Sequence, residues 1–178
     1  MTYCVNLGVG ENGLQRLVVV QSDREIEECS LVIASSFGTV ARDFGLTEEN
    51  APTNPAFMTS GRLREYLNKP VVLLGLLLDE VMIGCVAIEK SKHEPKAFYI
   101  ERLAVVPMCR HKGYGKSLID NAIDIIRRVG GREASIGIMN QNQALKDWYL
   151  GQGFVENGCK RFEHLPFEVC FMSKSIEE

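Results

Sequence analysis

Apolar residues recur with different periods along this chain, and the switches between periods mark out its elements. Arg16–Val20 (RLVVV) is a short β-branched run and predicts a first strand. Ser22 follows, with Glu25 three residues on, a hydroxyl and a carboxylate spaced for a capping box. Behind them Ile26, Cys29, Ile33, Phe37, Val40 and Phe44 recur every three or four residues, one buried face of a helix ending near Gly45. Residues 46–58 carry two prolines and two asparagines and predict a loop. Thr59 then caps a short helix through Leu63 and Leu67 that Pro70 stops. Val71–Leu78 and Val81–Glu89 flank the polar pair Asp79–Glu80, which predicts a hairpin, and Ala97–Val106 is a further strand closed by Pro107.

The clearest helix is Gly115–Val129. Leu118, Ile119, Ala122, Ile123, Ile126 and Val129 form its stripe, and Gly130-Gly131 stop it. Ala134–Met139 is predicted as a strand, Asn142–Leu150 as a helix, and Phe154–Cys159 and Glu168–Met172 as two closing strands. Strands and helices in this order imply one α/β (α+β) domain, a central sheet of about seven strands with about four helices packed on it.

The chain has 178 residues, 46% apolar and 24% charged. Those fractions exclude wholesale disorder and allow a sizeable core, and the length fits one domain over 1–178. Against 20 Lys+Arg stand 23 Asp+Glu, a net charge of -3, which is a poor balance for sequence-independent nucleic-acid binding. The longest apolar run, Val71–Leu78, is far shorter than the about 20 residues of a spanning helix. The first residues lack the basic start and apolar core of a secretory signal. The expectation is a cytoplasmic protein with no nucleic-acid or membrane partner. Cys4, Cys29, Cys85, Cys109, Cys159 and Cys170 form no C-x-x-C and read as reduced, mostly buried thiols. No Cys or His pair has zinc-ligand spacing, so no metal is expected.

The stretch that carries chemistry is Arg110-His-Lys-Gly-Tyr-Gly-Lys-Ser117, between a predicted strand and the strongest helix. Gly113 and Gly115 let the backbone turn tightly and approach a ligand. Unpaired N–H groups and the dipole at a helix start favour an anion, and Arg110, His111, Lys112 and Lys116 add positive charge around it. Three nucleotide loops fail on spacing. G-x-x-x-x-G-K-[ST] needs glycine where Arg110 stands, G-x-G-x-x-G needs one where Leu118 stands, and the kinase glycine loop fails in the same way. By itself the segment is equally a glycine-rich turn with a solvated basic face.

Its neighbours change the balance. Tyr99-Ile-Glu-Arg-Leu-Ala-Val-Val-Pro107 precedes the turn, Arg110-x-x-Gly113-x-Gly115 forms it, and Asn142-x-Ala144-x-x-x-Trp148-Tyr149-x-x-x-Gly153-Phe154 comes after it. Together these resemble the GNAT superfamily of acetyl-CoA-dependent N-acetyltransferases, specifically over residues 97–159. Ala144 lies two residues after Asn142, where three is the commoner family spacing. The resemblance implies a mixed, largely antiparallel sheet, an acetyl-CoA-binding core at 97–159 and an acceptor side built from the helices and loop of 23–68. It implies backbone contacts from Leu103, Ala104 and Val105 to the pantetheine arm. Backbone N–H groups of His111, Lys112, Gly113, Tyr114, Gly115 and Lys116 would hold the pyrophosphate, with Arg110 opening the motif. Asn142 would touch the pantetheine or the adenosine side, and Tyr149 would sit near the sulfur.

Acetyl transfer to an amine needs two proton movements. An alkyl amine of pKa about 10 is almost wholly protonated at neutral pH, so a base or desolvation must free it. Attack on the thioester builds an oxyanion, for which a backbone N–H near Val105 is a donor. The thiolate leaves as the conjugate base of an acid of pKa about 8.5, and Tyr149 is the expected proton donor. Glu101 is the expected base, since period-two alternation sets Tyr99, Glu101, Leu103 and Val105 on one face. An ordered water in that role, and a glutamate merely paired with a neighbouring cation, stay open beside it. Direct attack is expected, because no cysteine or serine stands with a base. Phe37, Phe44, Phe57 and Tyr66 are candidates to line an acceptor pocket, although core packing explains the first two better, and His164–Phe167 would contribute too. The acceptor is a small-molecule or protein amine, and exposed sheet edges leave a homodimer open. The alternatives are a catalytically inactive acyl-CoA-binding sensor and an acyltransferase using a different acyl-CoA.

Overall fold

A computed structural model describes residues 4–10 and 13–177, with side chains from residue 13 onward. Its elements are β1 (Cys4–Gly10), β2 (Gly13–Val19), α1 (Asp23–Asp43), α2 (Ser60–Leu67), β3 (Val71–Leu78), β4 (Val81–Lys90), β5 (Ala97–Val105), α3 (Tyr114–Arg128), β6 (Glu133–Met139), α4 (Gln143–Gly151), β7 (Val155–Arg161) and β8 (Glu168–Ser175). Single 3-10 turns stand at Pro55–Phe57 and Pro107–Cys109. The strands form one mixed sheet in the order β1-β2-β3-β4-β5-β6-β8-β7. All pairings are antiparallel except β5 with β6. The expected single domain with a mixed sheet and four helices is therefore present, and β1 adds an outer strand ahead of the first one predicted.

Local chemistry fixes the element ends. Ser22 Oγ accepts from the Glu25 N–H at 3.3 Å while Glu25 Oε2 accepts from the Ser22 N–H at 2.9 Å, the reciprocal capping box that starts α1. Burial pushes the Glu25 carboxyl up, but the N–H donors of Gln21 and Ser22 together outweigh it and hold the group below its usual range. Ser22→Ala should cost about 1 kcal/mol of stability, read as a lower urea midpoint with an unchanged slope; an unmoved midpoint would remove the cap from the account of α1. Thr59 Oγ1 likewise accepts from the Arg62 N–H at 3.2 Å and starts α2. Asp79 and Glu80 both take positive φ, 48° and 65°, as a two-residue hairpin turn demands.

The sheet is covered on both faces, which is why β3 reads VVLLGLLL without alternation. Ile26, Cys29 and Ile33 of α1 and Leu63 and Tyr66 of α2 pack one face, against Leu73, Leu77, Cys85 and Ala87. Leu118, Ile119, Ala122, Ile123 and Ile126 of α3 pack the other, against Leu74, Leu76, Val86, Ile88 and Ile100. Each buried Leu, Ile or Val among them contributes about 1.5–3 kcal/mol, so the two helix layers hold the central strands from both sides. Among the described residues no helix is long and apolar enough to cross a membrane.

β5 carries an irregularity that reorients its second half. Ala87 faces Glu101 and Cys85 faces Ala104, so two residues, Arg102 and Leu103, stand opposite the single Val86. Arg102 takes φ 53° at this bulge. The uninterrupted alternation expected for β5 is thereby corrected. Ala104 joins the α1/α2 side with Ala87, whereas Val105 and Leu103 pack with the α3 side, so Glu101 does not share a face with Leu103 and Val105.

Candidate active site

β5 and β6 pair only where Ala97–Tyr99 meets Glu133–Ser135. Past Tyr99 they part, and a cleft of about 1090 Å³ opens between them, walled by Leu103 and Val105 on one strand and by Gly137 and Met139 on the other. The Val106 N–H bonds back to Ile83 O at 2.9 Å, so alternation turns the N–H and C=O of Val105 away from β4 and into this opening. Arg110 Nε donates to the Val105 carbonyl at 3.3 Å, leaving the Val105 N–H for an incoming group.

The opening runs to the turn before α3. His111 (φ 60°) and Gly113 (φ 85°) both adopt left-handed backbone, and Gly113 is the cap residue. The first helical bond is Ser117 N–H to Gly113 O at 3.0 Å. Among the described residues, none of the backbone N–H groups from His111 to Lys116 has a protein acceptor. These free donors, gathered by two left-handed residues at the positive end of a 15-residue helix, form an anion cradle. Gly115 lies against the Trp148 ring: a Cβ there would meet its atoms at 3.4 and 3.6 Å.

The side-chain charges of the turn are arranged differently from its backbone. The Arg110 guanidinium reaches back to α1, donating to Ser36 O at 2.7 Å, Ser36 Oγ at 3.2 Å and Thr39 Oγ1 at 3.0 Å. Burial lowers its pKa, with Asp43 acting in the opposite sense. Arg110 thus ties α1 to the end of β5 and contributes backbone geometry to the turn. Lys116 Nζ is paired with Asp120 one helical turn on, at 2.6 Å. His111 and Lys112 are exposed. Tyr114 points into the core, its hydroxyl buried with no partner and its pKa raised by that burial.

The two expected proton carriers both line the cleft. Tyr149 is 5% exposed, set edge-on to Trp148 and Phe154 at 4.8 and 5.3 Å between ring centroids. Burial alone raises its phenol above the ordinary range. Glu101 Oε2 accepts from the Tyr66 hydroxyl at 2.9 Å. Burial, then the Glu101 charge, raises the Tyr66 pKa, so that hydroxyl stays a donor. Arg102 stacks over the Tyr66 ring at 4.8 Å, and its Nε is buried without a partner. Asn142 caps α4, accepting from the Leu145 N–H at 3.1 Å, and also borders the cleft; its amide oxygen is committed to the helix, leaving the NH₂ group.

A sequence profile of the acetyltransferase (GNAT) family matches residues 42–154. The chain belongs to the acetyltransferase (GNAT) family. Solved structures agree in fold. The PaiA N-acetyltransferase of Thermoplasma acidophilum, crystallised with coenzyme A, has 19% identity and a TM-score of 0.73 over 90% of this chain and 98% of its own. The ribosomal-protein-S18-alanine N-acetyltransferase of Escherichia coli has 13% identity and a TM-score of 0.71, over 92% and 95%. A GNAT acetyltransferase of Streptococcus pneumoniae has 19% identity and a TM-score of 0.64, over 90% and 99%. No curated protein matches this chain in sequence.

In this GNAT domain the cleft joins most of the residues expected from sequence: Glu101, Leu103, Val105, Arg110, His111, Gly113, Gly115, Lys116, Asn142 and Tyr149 all border it. Ala104 and Tyr114 are buried away from it, in the two core layers. Phe37 and Phe44, expected in the core from the α1 stripe, both line the cleft; Phe37 also packs on the α1/α2 core layer, whereas Phe44 is 37% exposed. Tyr66 is buried behind Glu101, and Phe57 is not among the lining residues. Ser36 and Thr39 are partners of Arg110 that sequence reasoning missed. A serine on an apolar helix face was the one available sign, since once buried it needs a polar partner.

Proposed function

We propose that this protein moves an acetyl group from acetyl-CoA to a primary amine by direct attack. The observation that carries the reading is the opening between β5 and β6, which ends on the free N–H groups of the Arg110–Lys116 turn. The pantetheine arm would lie along Leu103–Val105 as an extra strand, with the pyrophosphate on those N–H groups. Glu101, steadied by Tyr66, would take the proton of the amine. The Val105 N–H would meet the developing oxyanion, and Tyr149 would protonate the departing thiolate. Phe37, Phe44 and Phe167 offer apolar contact on the acceptor side.

The test is thiol release from acetyl-CoA across a panel of small amines and peptides, with amine-free hydrolysis subtracted. Release with one amine class supports transfer and names the substrate type. Silence across the panel, with tight CoA binding measured alongside, would replace the reading with an acyl-CoA sensor. Glu101→Gln should lower kcat/KM by about 100-fold, because glutamine cannot accept the proton. An unaltered kcat/KM would pass the role to water.

A further inference from the structure

Two cysteines unused by the transfer stand directly opposite each other near the β7 edge of the sheet. Cys159 on β7 and Cys170 on β8 are register partners. The Cα atoms of such partners lie about 4.5–5.5 Å apart, within the span of a disulfide. The ladder shifts between Glu156 and Gly158, where Asn157 is the extra residue. That bulge brings Glu156 and Cys159 onto one face, although strict alternation would separate residues three apart. There the Cys159 thiol donates to Glu156 Oε1 at 3.5 Å, and both sulfurs and a Glu156 oxygen lie within 4.8 Å of one another. Lys146 of α4 closes the group, its ammonium 3.2 Å from Glu156 Oε2 and 2.6 Å from Asn140 Oδ1. A divalent cation in this place would have that ammonium as a like-charged neighbour.

The two thiols are not equivalent. Cys159 is exposed and Cys170 is buried. Burial first, and then the Cys159 contact, pushes the Cys170 thiol up to about 11. An accessible thiol with a second thiol directly behind it is the arrangement of an attacking and a resolving cysteine.

We propose that Cys159 and Cys170 are a redox modification site that closes to a reversible disulfide when a hydroperoxide reaches β7. With hydrogen peroxide, Cys159 gives up its proton to solvent and its thiolate attacks one peroxide oxygen; the departing hydroxide takes up a proton from solvent, giving a sulfenic acid and one water. The Cys170 sulfur then attacks the sulfenic sulfur, its proton leaving with the hydroxyl as a second water. Two thiols and one peroxide become one disulfide and two waters, the sulfurs losing the two electrons that the peroxide gains. The bond ties the base of the segment joining β7 to β8. Phe167, Val169 and Phe171 from that segment and β8 line the cleft, so oxidation stiffens one of its walls.

The full chain would be treated with hydrogen peroxide, alkylated in denaturant, cut with trypsin and mapped by mass spectrometry. Cleavage after Lys160 and Arg161 separates the two cysteines onto different peptides. The expected result is a linked pair of those peptides, two hydrogens lighter than their sum, with two of the six thiols lost and both regained on treatment with dithiothreitol. Hydrogen exchange over residues 160–169 should slow on oxidation. Cys159→Ser, an exposed position, should abolish the linkage and the slowing while circular dichroism stays unchanged. Cys170 remaining fully alkylatable while Cys159 proceeds to sulfinic acid would overturn the proposal. So would a linkage formed between the buried neighbours Cys29 and Cys85 in its place. Neither readout depends on acetyl transfer, so this site and the catalytic reading fail or stand separately.

Discussion

Gly115→Val should weaken CoA binding by about 100-fold or more, while Gly115→Ala costs only a few-fold, both measured by calorimetric titration. A Cβ at this position meets Trp148 at ordinary contact distance, 3.4 Å, so alanine fits. Valine adds two methyls that cannot all lie against the indole, and at least one must enter the space over the Tyr114–Lys116 N–H groups. Hydrogen bonds to a charged partner contribute about 1.5–3 kcal/mol each. Displacing the pyrophosphate from two of them accounts for a loss of this size. Gly115 does not take positive φ, so valine brings no left-handed strain, and the thermal midpoint should move little. Gly113 would be a poorer probe, since its φ of 85° makes any side chain strain the turn itself. Unchanged CoA affinity in the valine variant would move the phosphate site away from this turn.

What was legible in the chain beforehand, and what was not, divides by the range of the interactions. Ser22 with Glu25, Thr59 before α2, and Asp79–Glu80 between two apolar runs are complete within a few residues, and the elements they bound came out where expected. The turn at Arg110–Lys116 was legible for the same reason, because glycines, a following helix and a preceding strand are all local. β1 was not, as its two glycines weaken any strand pattern and its pairing is supplied by β2. The bulge at Arg102–Leu103 was hidden as well. Nothing in YIERLAV announces an extra residue, and only the register against Ala87 and Cys85 reveals it.

The cationic side chains show the same limit from the other direction. Arg110, Lys112 and Lys116 stand together in sequence as a basic cluster around a phosphate. In the fold Arg110 turns to Ser36 and Thr39, some 70 residues away in sequence, and Lys116 is spent on Asp120. The cradle therefore rests mainly on backbone donors, which composition cannot display. Likewise Glu101 is singled out by an alternation that the bulge breaks, and yet it reaches the cleft, because the bulge lies after it and leaves its own face unchanged.

Tyr149→Phe should lower kcat by about 100-fold and leave CoA affinity within two-fold, roughly the precision of such a comparison. The phenol has no hydrogen-bond partner among the described residues and is packed by Trp148 and Phe154, so phenylalanine keeps the ring packing and removes only the hydroxyl that carries the proton. Burial raises the Tyr149 pKa, which keeps the hydroxyl protonated throughout the range in which an amine and a thioester react. No alkaline fall in kcat below about pH 10, the ordinary phenol value, should therefore trace to Tyr149. The same shift predicts a stability signature of fixed sign. Below about pH 10 the phenol is neutral in both folded and unfolded chains, and the stabilisation that accompanies its burial is fully present. As pH rises past that value the unfolded chain ionises first, so stability falls until the folded value is passed. Tyr66, raised in the same direction by burial and by Glu101, adds to that slope. Tyr149→Phe should flatten the decline in thermal midpoint above pH 10 by one proton's share and leave the midpoint at neutral pH unchanged. If kcat survives the substitution while the alkaline slope flattens as expected, the tyrosine is buried as described and the thiolate takes its proton from elsewhere.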